Sequence, residues 1–476
     1  MTLRQALFTK VILLVATVGV AQTHAADSPR VRQPNVIFIL ADDLGWGDLG
    51  CYGHPHIKTP RLDQLARQGT LFTQFYVNGS VCSPTRAAFM TGQFPARHRI
   101  HGHFSGQPQN QGRGMPNWLD PSAPFLTRQL KQAGYATAHF GKWHLGSGEG
   151  APDPGAYGFD VYRSFNGNGP KFKGQGDPYF RARSTGLFVD EAIRFIEAHR
   201  ERPFYVNLWT LVPHAPLHPT DEQMEPYRRF SAGVVPYRGA EEIYYGTVTA
   251  MDAELGRLFD KLDELGLADN TIVVFSSDNG PEDIHIRNAG HSGVGTAGPF
   301  RGRKRSLYEG GVRVPFIVRW PGHVPAGKID EDSVVSGVDF LPTLCELTGS
   351  RLPAGYRGDG EDTSDILKGT SRPRQAPLMW EWRFRIAGYP IHHSPMLSIR
   401  DGRWKLLLNP DRSRVELFDI PHDRMELNNV AAQHPEVVER LAKAALAWQA
   451  TLPPGPIEPT AGKIIYGWPG GKRNDR

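Results

Sequence analysis

Two apolar, β-branched runs, each followed at once by acidic or amide residues, constrain the fold of this chain most strongly. The runs are residues 35–41 (NVIFILA) and 271–276 (TIVVFS), followed by the acidic pair 42–43 and by the Ser-Asp-Asn-Gly stretch 277–280. Unbroken apolar runs of this length are typical of parallel strands that are buried on both faces. Open α/β sheets bind ligands at the carboxyl ends of such strands. We therefore expect the polar residues that follow the two runs to meet at one site.

Helical patterns and short apolar strands alternate along the rest of the first 350 residues. The helical patterns cover 60–68, 87–91, 124–133, 186–198, 241–265 and 336–347, and the short strands cover 135–140, 204–210 and 314–319. This alternation predicts an α/β fold with a large, mixed, mostly parallel sheet sandwiched by helices.

The pattern changes after residue 350. Residues 396–400 and 403–408 predict a hairpin, 415–419 a further strand and 435–451 an amphipathic helix. We predict a smaller C-terminal antiparallel sheet with one helix. The predicted boundaries are 33–370 for a catalytic domain, 371–460 for a C-terminal α+β subdomain and 461–476 for a tail.

The N-terminus has the layout of a secretory signal peptide. Arg4 and Lys10 precede an apolar run at 11–21, which small residues follow up to residue 26. This layout predicts a signal peptide over 1–25 and a mature protein in the periplasm or outside the cell, with no stable membrane anchor; a retained anchor is the alternative. The net charge of +5 is spread along 476 residues, which does not indicate nucleic-acid binding but suits an anionic substrate.

The chain has three cysteines: Cys51, Cys82 and Cys345. The first and third could form a disulfide or remain buried thiols, and we favour no framework role for them. Cys82 begins a Cys-x-Pro-x-Arg pattern, which we interpret as an exposed turn in which Pro84 opens a helix and Arg86 lies one turn further on. A buried thiol in a helix cap is the alternative interpretation of this short pattern. A helix N-terminus beside an arginine is suited to binding an anion.

Four oxygen-bearing residues after the two long strands suit a hard cation. Asp42, Asp43, Asp278 and Asn279 offer carboxylate and amide oxygens, which Ca²⁺ or Mg²⁺ prefers over the softer metals that bind thiolate or imidazole. Ordinary turns or helix caps are the alternative interpretation of each stretch taken alone.

The segment 81–93 (VCSPTRAAFMTGQ) resembles the signature of the type I, formylglycine-dependent sulfatases of the alkaline phosphatase superfamily, arylsulfatases among them. In that family a maturation enzyme oxidises the cysteine to formylglycine. Its hydrate attacks sulfur through one oxygen, and the second hydroxyl later expels sulfate. The resemblance continues at 40–48 and 276–280, where the family binds calcium, so it implies a metal site of Asp42, Asp43, Cys82, Asp278 and Asn279.

Three further motifs extend the resemblance: GKWHLG at 141–146, PHxP at 213–216, and a lysine that precedes Glu-Gly-Gly at 309–311. The C-terminal stretches 399–406 and 416–420 also resemble the family, although 423–426 lacks a proline often found there. The implied catalytic residues are Cys82, Arg86, Lys142, His144, His214 and Lys304. By this resemblance, Arg86, Lys142 and calcium neutralise the sulfate. His214 and Lys304 serve the leaving group, and His144 takes the proton from the second hydroxyl.

The sequence therefore predicts a calcium-dependent hydrolase of sulfate monoesters, acting on a sulfated carbohydrate. The alternatives are a phosphonate or phosphate diester hydrolase of the same superfamily, and a non-catalytic binder of sulfated glycans in which Cys82 stays unmodified. Leaving-group choice is expected from residues 98–115, 165–183 and 380–393. The last segment offers a sugar or uronate contact surface or, equally, an interface between the two domains; its residues are Trp380, Trp382, Arg383, Arg385, His392 and His393.

Overall fold

The computed structural model describes residues 33–231, 233, 239–286 and 289–465. The predicted signal peptide, and residues 466–476 of the predicted tail, lie outside the described residues. Within the described part of the chain, no helix is long and apolar enough to cross a membrane. The described residues form one compact unit.

Three sheets organise the described residues. In chain order the strands are β1 (Asn35–Asp42), β2 (Thr70–Phe72), β3 (Phe75–Tyr76), β4 (Ala136–Lys142), β5 (Val161–Phe165), β6 (Phe204–Pro213), β7 (Thr271–Ser277), β8 (Phe316–Arg319), β9 (Lys328–Asp330), β10 (Val335–Ser336), β11 (Leu378–Glu381), β12 (Leu397–Asp401), β13 (Trp404–Leu408) and β14 (Glu416–Asp419).

The α-helices pack around these sheets. In chain order they are α1 (Pro60–Gln68), α2 (Cys82–Thr91), α3 (Gln107–Gly112), α4 (Leu126–Gln132), α5 (Phe180–His199), α6 (Asp221–Met224), α7 (Ala240–Glu264), α8 (Glu309–Val312), α9 (Phe340–Thr348), α10 (Ser364–Leu367) and α11 (Pro435–Ala450).

The main sheet has eight strands in the order β5-β4-β6-β1-β7-β8-β2-β9. The five strands from β5 to β7 are parallel. β8 is antiparallel to both β7 and β2, and β9 is parallel to β2. The predicted large, mixed, mostly parallel sheet is therefore confirmed.

Alternate residues of β1 face opposite sides of the main sheet, and all of β1 is buried. Val36, Phe38 and Leu40 pack into a core that also contains apolar residues of α2, α4, α9 and the C-terminal sheet. Ile37 and Ile39 pack into a second core with α1, α5 and α7. Since both faces of the strand bury apolar side chains, the even apolar run of β1 follows from its position in the middle of a three-layer fold.

The C-terminal sheet has four antiparallel strands in the order β11-β12-β13-β14, and α11 packs on it through a buried apolar stripe. The predicted hairpin is confirmed, because Asp401 pairs with Trp404 around Gly402. The edge strand β11 was not predicted. It contains Trp380, whose buried indole donates a hydrogen bond to the carbonyl of Val77 at 2.7 Å. Trp380 therefore lies at the interface between the sheets.

A buried ion cluster, which we call the junction cluster, joins α8 to the C-terminal sheet. It consists of Glu309, Lys405 and Glu426. The Nζ of Lys405 lies 2.9 Å from Glu309 Oε1 and 3.0 Å from Glu426 Oε1, with no exposure of any of the three side chains. Glu309 also accepts hydrogen bonds from Tyr76, at 2.6 Å, and Arg313, at 3.1 Å. The cluster fixes α8 directly after the loop that contains Lys304.

Candidate active site

Four neighbouring strand ends of the main sheet converge on one site. Asp42 is the last residue of β1, and Lys142 is the last residue of β4. His214 follows β6, and Asp278 follows β7. Because β4, β6, β1 and β7 are parallel neighbours, their carboxyl ends lie side by side. The pairing of β1 with β6 is irregular between Leu40 and Asp42, a feature that re-aims side chains at sheet ends.

Cys82 enters this site as the first residue of α2. Its Sγ lies 3.5 Å from Asp42 Oδ1 and 3.3 Å from Lys142 Nζ. The predicted exposed turn is wrong, because Cys82 is only 2% exposed and all of α2 is buried. Burial and the carboxylate of Asp278 raise the pKa of the thiol, so the unmodified side chain is protonated at neutral pH.

Lys142 and Arg86 neutralise two of the carboxylates around Cys82. Lys142 Nζ lies 2.8 and 2.7 Å from the two oxygens of Asp42. Arg86 donates through Nε and Nη2 to Asp278 Oδ2, at 3.1 and 2.6 Å, and through Nη1 to the carbonyl of Lys142. The guanidinium also lies 5.0 Å from the ring centre of Trp209. Both cations are therefore fixed in orientation before any ligand arrives.

Asp43 forms the second half of the site, with its backbone in the left-handed region at a φ of 66°. Its carboxylate lies 2.7 and 2.6 Å from Lys304 Nζ and accepts a hydrogen bond from Asn279 Nδ2 at 2.7 Å. Its backbone N–H donates to Asp278 Oδ1 at 3.1 Å. Burial alone would raise the pKa of Asp43, but nearby cations, chiefly Lys304, lower it well below its usual value.

Glu282 is a buried acid of the site that the sequence analysis missed. Its Oε2 lies 3.4 Å from Lys304 Nζ, and its Oε1 lies 2.5 Å from Arg305 Nη1. Burial would raise its pKa, but Lys304 and Arg305 lower it to about 2. The signal that could have identified Glu282 is its position two residues after the Ser-Asp-Asn-Gly stretch, on the same loop.

His144 presents a buried nitrogen that has no partner. Its Nε2 lies 3.0 Å from the carbonyl oxygen of Phe104, so Nε2 carries the hydrogen. Its Nδ1 is buried and has no hydrogen-bond partner among the described residues. Burial and repulsion by Lys142 lower the pKa of His144 well below its usual value, which keeps the imidazole neutral. Nδ1 of His144 is therefore a hydrogen-bond acceptor.

His214 lies at the rim of the site, with its side chain 31% exposed. Its Nδ1 lies 2.6 Å from the carbonyl oxygen of Ala215, and its Nε2 lies 3.7 Å from Asp43 Oδ2. Arg181 donates a hydrogen bond to the His214 carbonyl, and the peptide bonds before both neighbouring prolines are cis. Burial lowers the pKa of His214 to about 3, against the attraction of Asp43.

The donor set fits a hard divalent cation. Potential ligand atoms of four side chains lie within 4.8 Å of one another: Asp42, Asp43, Cys82 and His214. Asn279 Oδ1 is buried and, among the described residues, has no hydrogen-bond partner. Both oxygens of Asp278 are engaged by Arg86 and by the Asp43 N–H, so a cation at Asp278 would share them. An oxygen-rich set with one unpartnered amide oxygen suits Ca²⁺ or Mg²⁺.

The other cysteines and two residues of the segment 380–393 make contacts within the fold. All three cysteines are free thiols, so Cys51 and Cys345 do not form a disulfide. In the segment 380–393, Arg383 is buried and donates to Glu381 at 2.7 Å, and His393 is buried beside the carbonyl of Gly388.

Comparisons with known proteins identify the family of the chain. A family model described as Sulfatase matches residues 34–350, and one described as N-sulphoglucosamine sulphohydrolase, C-terminal, matches residues 298–450. The chain is 34% identical to arylsulfatase A of Homo sapiens over 408 residues, covering 80% of this chain and 76% of the relative.

Two further proteins connect the fold to carbohydrate sulfatases. The chain is 28% identical to an N-acetylgalactosamine-6-O-sulfatase of Bacteroides thetaiotaomicron, covering 87% of this chain and 92% of that protein. The crystal structure of Ps i-CgsB in complex with k-i-k-neocarrahexaose superposes with a TM-score of 0.74 at 28% identity, covering 88% and 93% of the two chains. The chain therefore belongs to the sulfatase family, whose members are sulfuric ester hydrolases of the alkaline phosphatase superfamily.

Proposed function

We propose that this protein hydrolyses sulfate monoesters of carbohydrates, with a formylglycine formed from Cys82 as nucleophile and a bound calcium ion. The observation that carries the proposal is the position of Cys82. It begins a buried helix, and its Sγ lies within 3.5 Å of both an aspartate oxygen and a lysine nitrogen. A helix N-terminus beside fixed cations is suited to an anionic ester.

The residues that would hold calcium are Asp42, Asp43, Asp278, Asn279 and the oxidised side chain of residue 82. When bound, calcium supplies positive charge that polarises sulfate oxygens and the nucleophile. The protein's own charges are nearly balanced without it, because three buried aspartates face Arg86, Lys142 and Lys304. Binding a dication and an anionic ester together therefore disturbs this balance less than binding either one alone.

The fixed cations divide between the nucleophile and the leaving group. Lys142 contacts the side chain of residue 82, so we assign Lys142 and Arg86 to the sulfate and the nucleophile. Attraction by Asp43 raises the pKa of Lys304 against the effect of burial, so Lys304 is a protonated donor. We assign Lys304 and His214 to the leaving oxygen. Because the pKa of His214 is lowered to about 3 and its Nδ1–H donates to a carbonyl, Nε2 of the neutral ring is an acceptor. Lys304 therefore supplies the proton, and His214 accepts a hydrogen bond beside the leaving oxygen.

His144 suits the role of base that we propose for the release of sulfate. Its Nε2–H is held by a backbone carbonyl, which leaves Nδ1 as the acceptor. A neutral imidazole with a free acceptor nitrogen can take a proton, whereas an imidazolium cannot.

The relatives support the carbohydrate class, because one is named an N-acetylgalactosamine-6-O-sulfatase and one solved structure is a complex with neocarrahexaose. Residues 1–25 have the layout of a signal peptide, so we propose export to the periplasm or beyond. There the enzyme would meet sulfated polysaccharides. A formylglycine-generating maturation enzyme is the partner that the oxidation of Cys82 requires.

The proposal is tested by mass spectrometry and kinetics on protein from a host that makes formylglycine. The peptide that contains residue 82 should show the mass decrease expected when a thiol is replaced by an aldehyde oxygen. Aryl sulfate should be hydrolysed in the presence of calcium, and defined sulfated mono- and disaccharides should lose sulfate. Faster turnover of aryl phosphonate would instead support a phosphonate hydrolase. An unmodified Cys82 together with inactive protein would support a glycan binder.

A further inference from the structure

A basic cleft adjoins the active site and is not used by the mechanism above. It has a volume of about 330 Å³ and is lined by His103, Arg113, Arg305, Trp382, Phe384 and Arg385, among others. We call it the basic cleft. Its volume falls at the lower end of the roughly 300–1,000 Å³ that is typical of small-molecule sites.

The basic cleft begins where the active site ends. Arg305 follows Lys304 in the chain, and both contact Glu282. On the other wall, the ring of His103 lies 6.3 Å from the ring of His144, centre to centre. A sugar whose sulfate ester reaches residue 82 would therefore extend its other groups toward this cleft.

Positive charge exceeds negative charge in the lining of the cleft, which includes three arginines and one carboxylate, Glu458. Arg113 donates to the carbonyl of His103 at 3.2 Å, and its guanidinium lies 5.3 Å from the ring centre of Phe384. Among the described residues, no carboxylate lies within salt-bridge distance of Arg113 or Arg385. Glu458 also lines the cleft, but it accepts a hydrogen bond from the backbone N–H of Arg385 at 2.7 Å.

The other walls favour a sugar ring over a small inorganic ion. Trp382 and Phe384 form an apolar wall with their rings 5.2 Å apart and nearly perpendicular. Burial, with repulsion from Arg113, lowers the pKa of His103 to about 3, so its imidazole is neutral and can hydrogen-bond a hydroxyl. Aromatic rings beside forked guanidinium donors suit a ring that bears an anionic group.

We propose that the basic cleft binds a second anionic group, a carboxylate or a sulfate, on the same glycan whose sulfate ester is cleaved. This inference rests on the proposed function and narrows it to glycans with at least two anionic groups. Arg113 and Arg385 are the specificity residues, since no carboxylate in the described part of the chain lies within salt-bridge distance of either guanidinium.

The test compares the wild-type enzyme with the double variant Arg113→Ala/Arg385→Ala. The substrates are an aryl sulfate, a monosulfated neutral sugar, the same sugar with a second sulfate, and a monosulfated disaccharide that contains a uronate. Wild-type kcat/KM should be highest on the substrates with a second anionic group. The double variant should lose about tenfold or more on those substrates, mainly through KM, and less than about twofold on the aryl sulfate. The second anionic group is identified by the substrate on which the double variant loses more kcat/KM: a sulfate if it is the disulfated sugar, a carboxylate if it is the uronate-containing disaccharide.

The matched control is Arg194→Ala, which removes a 61% exposed arginine of α5 that pairs with Glu191. Arg194→Ala should change kcat/KM to the same small extent on all four substrates. Equal losses of the double variant on all four substrates, or an absence of wild-type preference, would overturn the inference.

A binding measurement tests the basic cleft independently of whether the protein hydrolyses sulfate esters. Calorimetry with the disulfated sugar and with the uronate-containing disaccharide on Cys82→Ala protein reports binding without turnover. Weaker binding of either ligand in the triple variant Cys82→Ala/Arg113→Ala/Arg385→Ala would support the basic cleft even if the wild-type enzyme hydrolysed no sulfate ester. Unchanged binding of both the disulfated sugar and the uronate-containing disaccharide would reject the cleft even if the wild-type enzyme were an active sulfatase.

Discussion

The active site and the junction cluster are both built from buried carboxylates and lysines, but they differ in their access to solvent. The side chains of the junction cluster have no exposure, and Lys405 lies between two glutamates. In the active site, His214 at the rim is 31% exposed, and Asn279 Oδ1 is buried without a partner among the described residues. Both the active site and the junction cluster contain buried ion pairs with N···O distances of 3.0 Å or less.

The difference shows which features mark a ligand site. A buried lysine between carboxylates also occurs where the fold needs a fixed contact, so it does not by itself indicate chemistry. The active site is distinguished by partial exposure at its rim together with an unpartnered uncharged acceptor, Asn279 Oδ1, because an unmade hydrogen bond is costly unless a ligand completes it. We expect changes in the active site to affect turnover and changes in the junction cluster to affect stability.

The largest effect should come from removing the proposed nucleophile. Cys82→Ala should lower kcat/KM on aryl sulfate by a factor on the order of 10³ or more, because no other side chain replaces a covalent nucleophile. Its thermal midpoint should stay close to that of the wild-type protein. Cys51→Ala, which removes another free thiol, is the control and should remain active. Full turnover by Cys82→Ala would reject the mechanism.

The next effect concerns the junction cluster. Lys405→Met should lower the free energy of unfolding by about 3–5 kcal/mol, because it leaves the buried Glu426 without its cation and Glu309 with Arg313 alone. Urea unfolding followed by circular dichroism measures this loss.

Lys304→Met is the matched change in the active site. Lys304→Met should lower kcat/KM. It should lower the free energy of unfolding less than Lys405→Met does, because Asp43 keeps the hydrogen bond from Asn279. Equal losses of stability in the two variants would remove the distinction between the clusters.

Removal of calcium should have an intermediate effect. A ligand at 100 times its Kd, bound only to the folded chain, raises the free energy of unfolding by about 2.7 kcal/mol. A chelator should therefore lower the thermal midpoint, and added calcium should restore it. Asn279→Ala should show a smaller calcium-dependent shift, whereas Lys405→Met should show the full shift. A midpoint that calcium does not affect would argue against the metal site.

The smallest effect is a pH dependence in the junction cluster. Burial and repulsion by Glu309 raise the pKa of Glu426 to about 7, despite the attraction of Lys405. The folded chain therefore holds this proton more tightly than the unfolded chain. The resulting stabilisation is complete below the ordinary glutamate pKa and is lost as the pH rises through about 7. Glu426→Gln should flatten the fall in unfolding free energy between about pH 5 and about pH 8. Parallel curves for both proteins would contradict this assignment.

Much of the fold could be predicted from the sequence, because the relevant signals are local. The strands β1 and β7 are continuous apolar runs, and the hairpin of β12 and β13 has a turn at Asp401-Gly402. The strand β11 was missed because it is only four residues long and its tryptophan resembled a ligand contact. Its burial depends on distant partners such as Val77, which no local pattern encodes.

The candidate site was predicted as a set of residues but not as an arrangement. The motifs identified Cys82 and the lysines, and the structure brings them together. The burial of Cys82 was not predicted, because it depends on how α2 packs between the main sheet and α9. Glu282 and the basic cleft were missed for a similar reason. Arg113, Arg305 and Arg385 come from three separate segments that only tertiary packing makes neighbours.

The complete burial of α2 has a consequence for timing. Cys82 is only 2% exposed in the folded chain, at the start of a helix whose residues are all buried, so a second enzyme could not bind around it as it would around an open chain segment. If residue 82 is oxidised as we propose, the oxidation would therefore have to finish before the chain folds around α2. A chain that folds before residue 82 is oxidised would then remain inactive for as long as it stays folded.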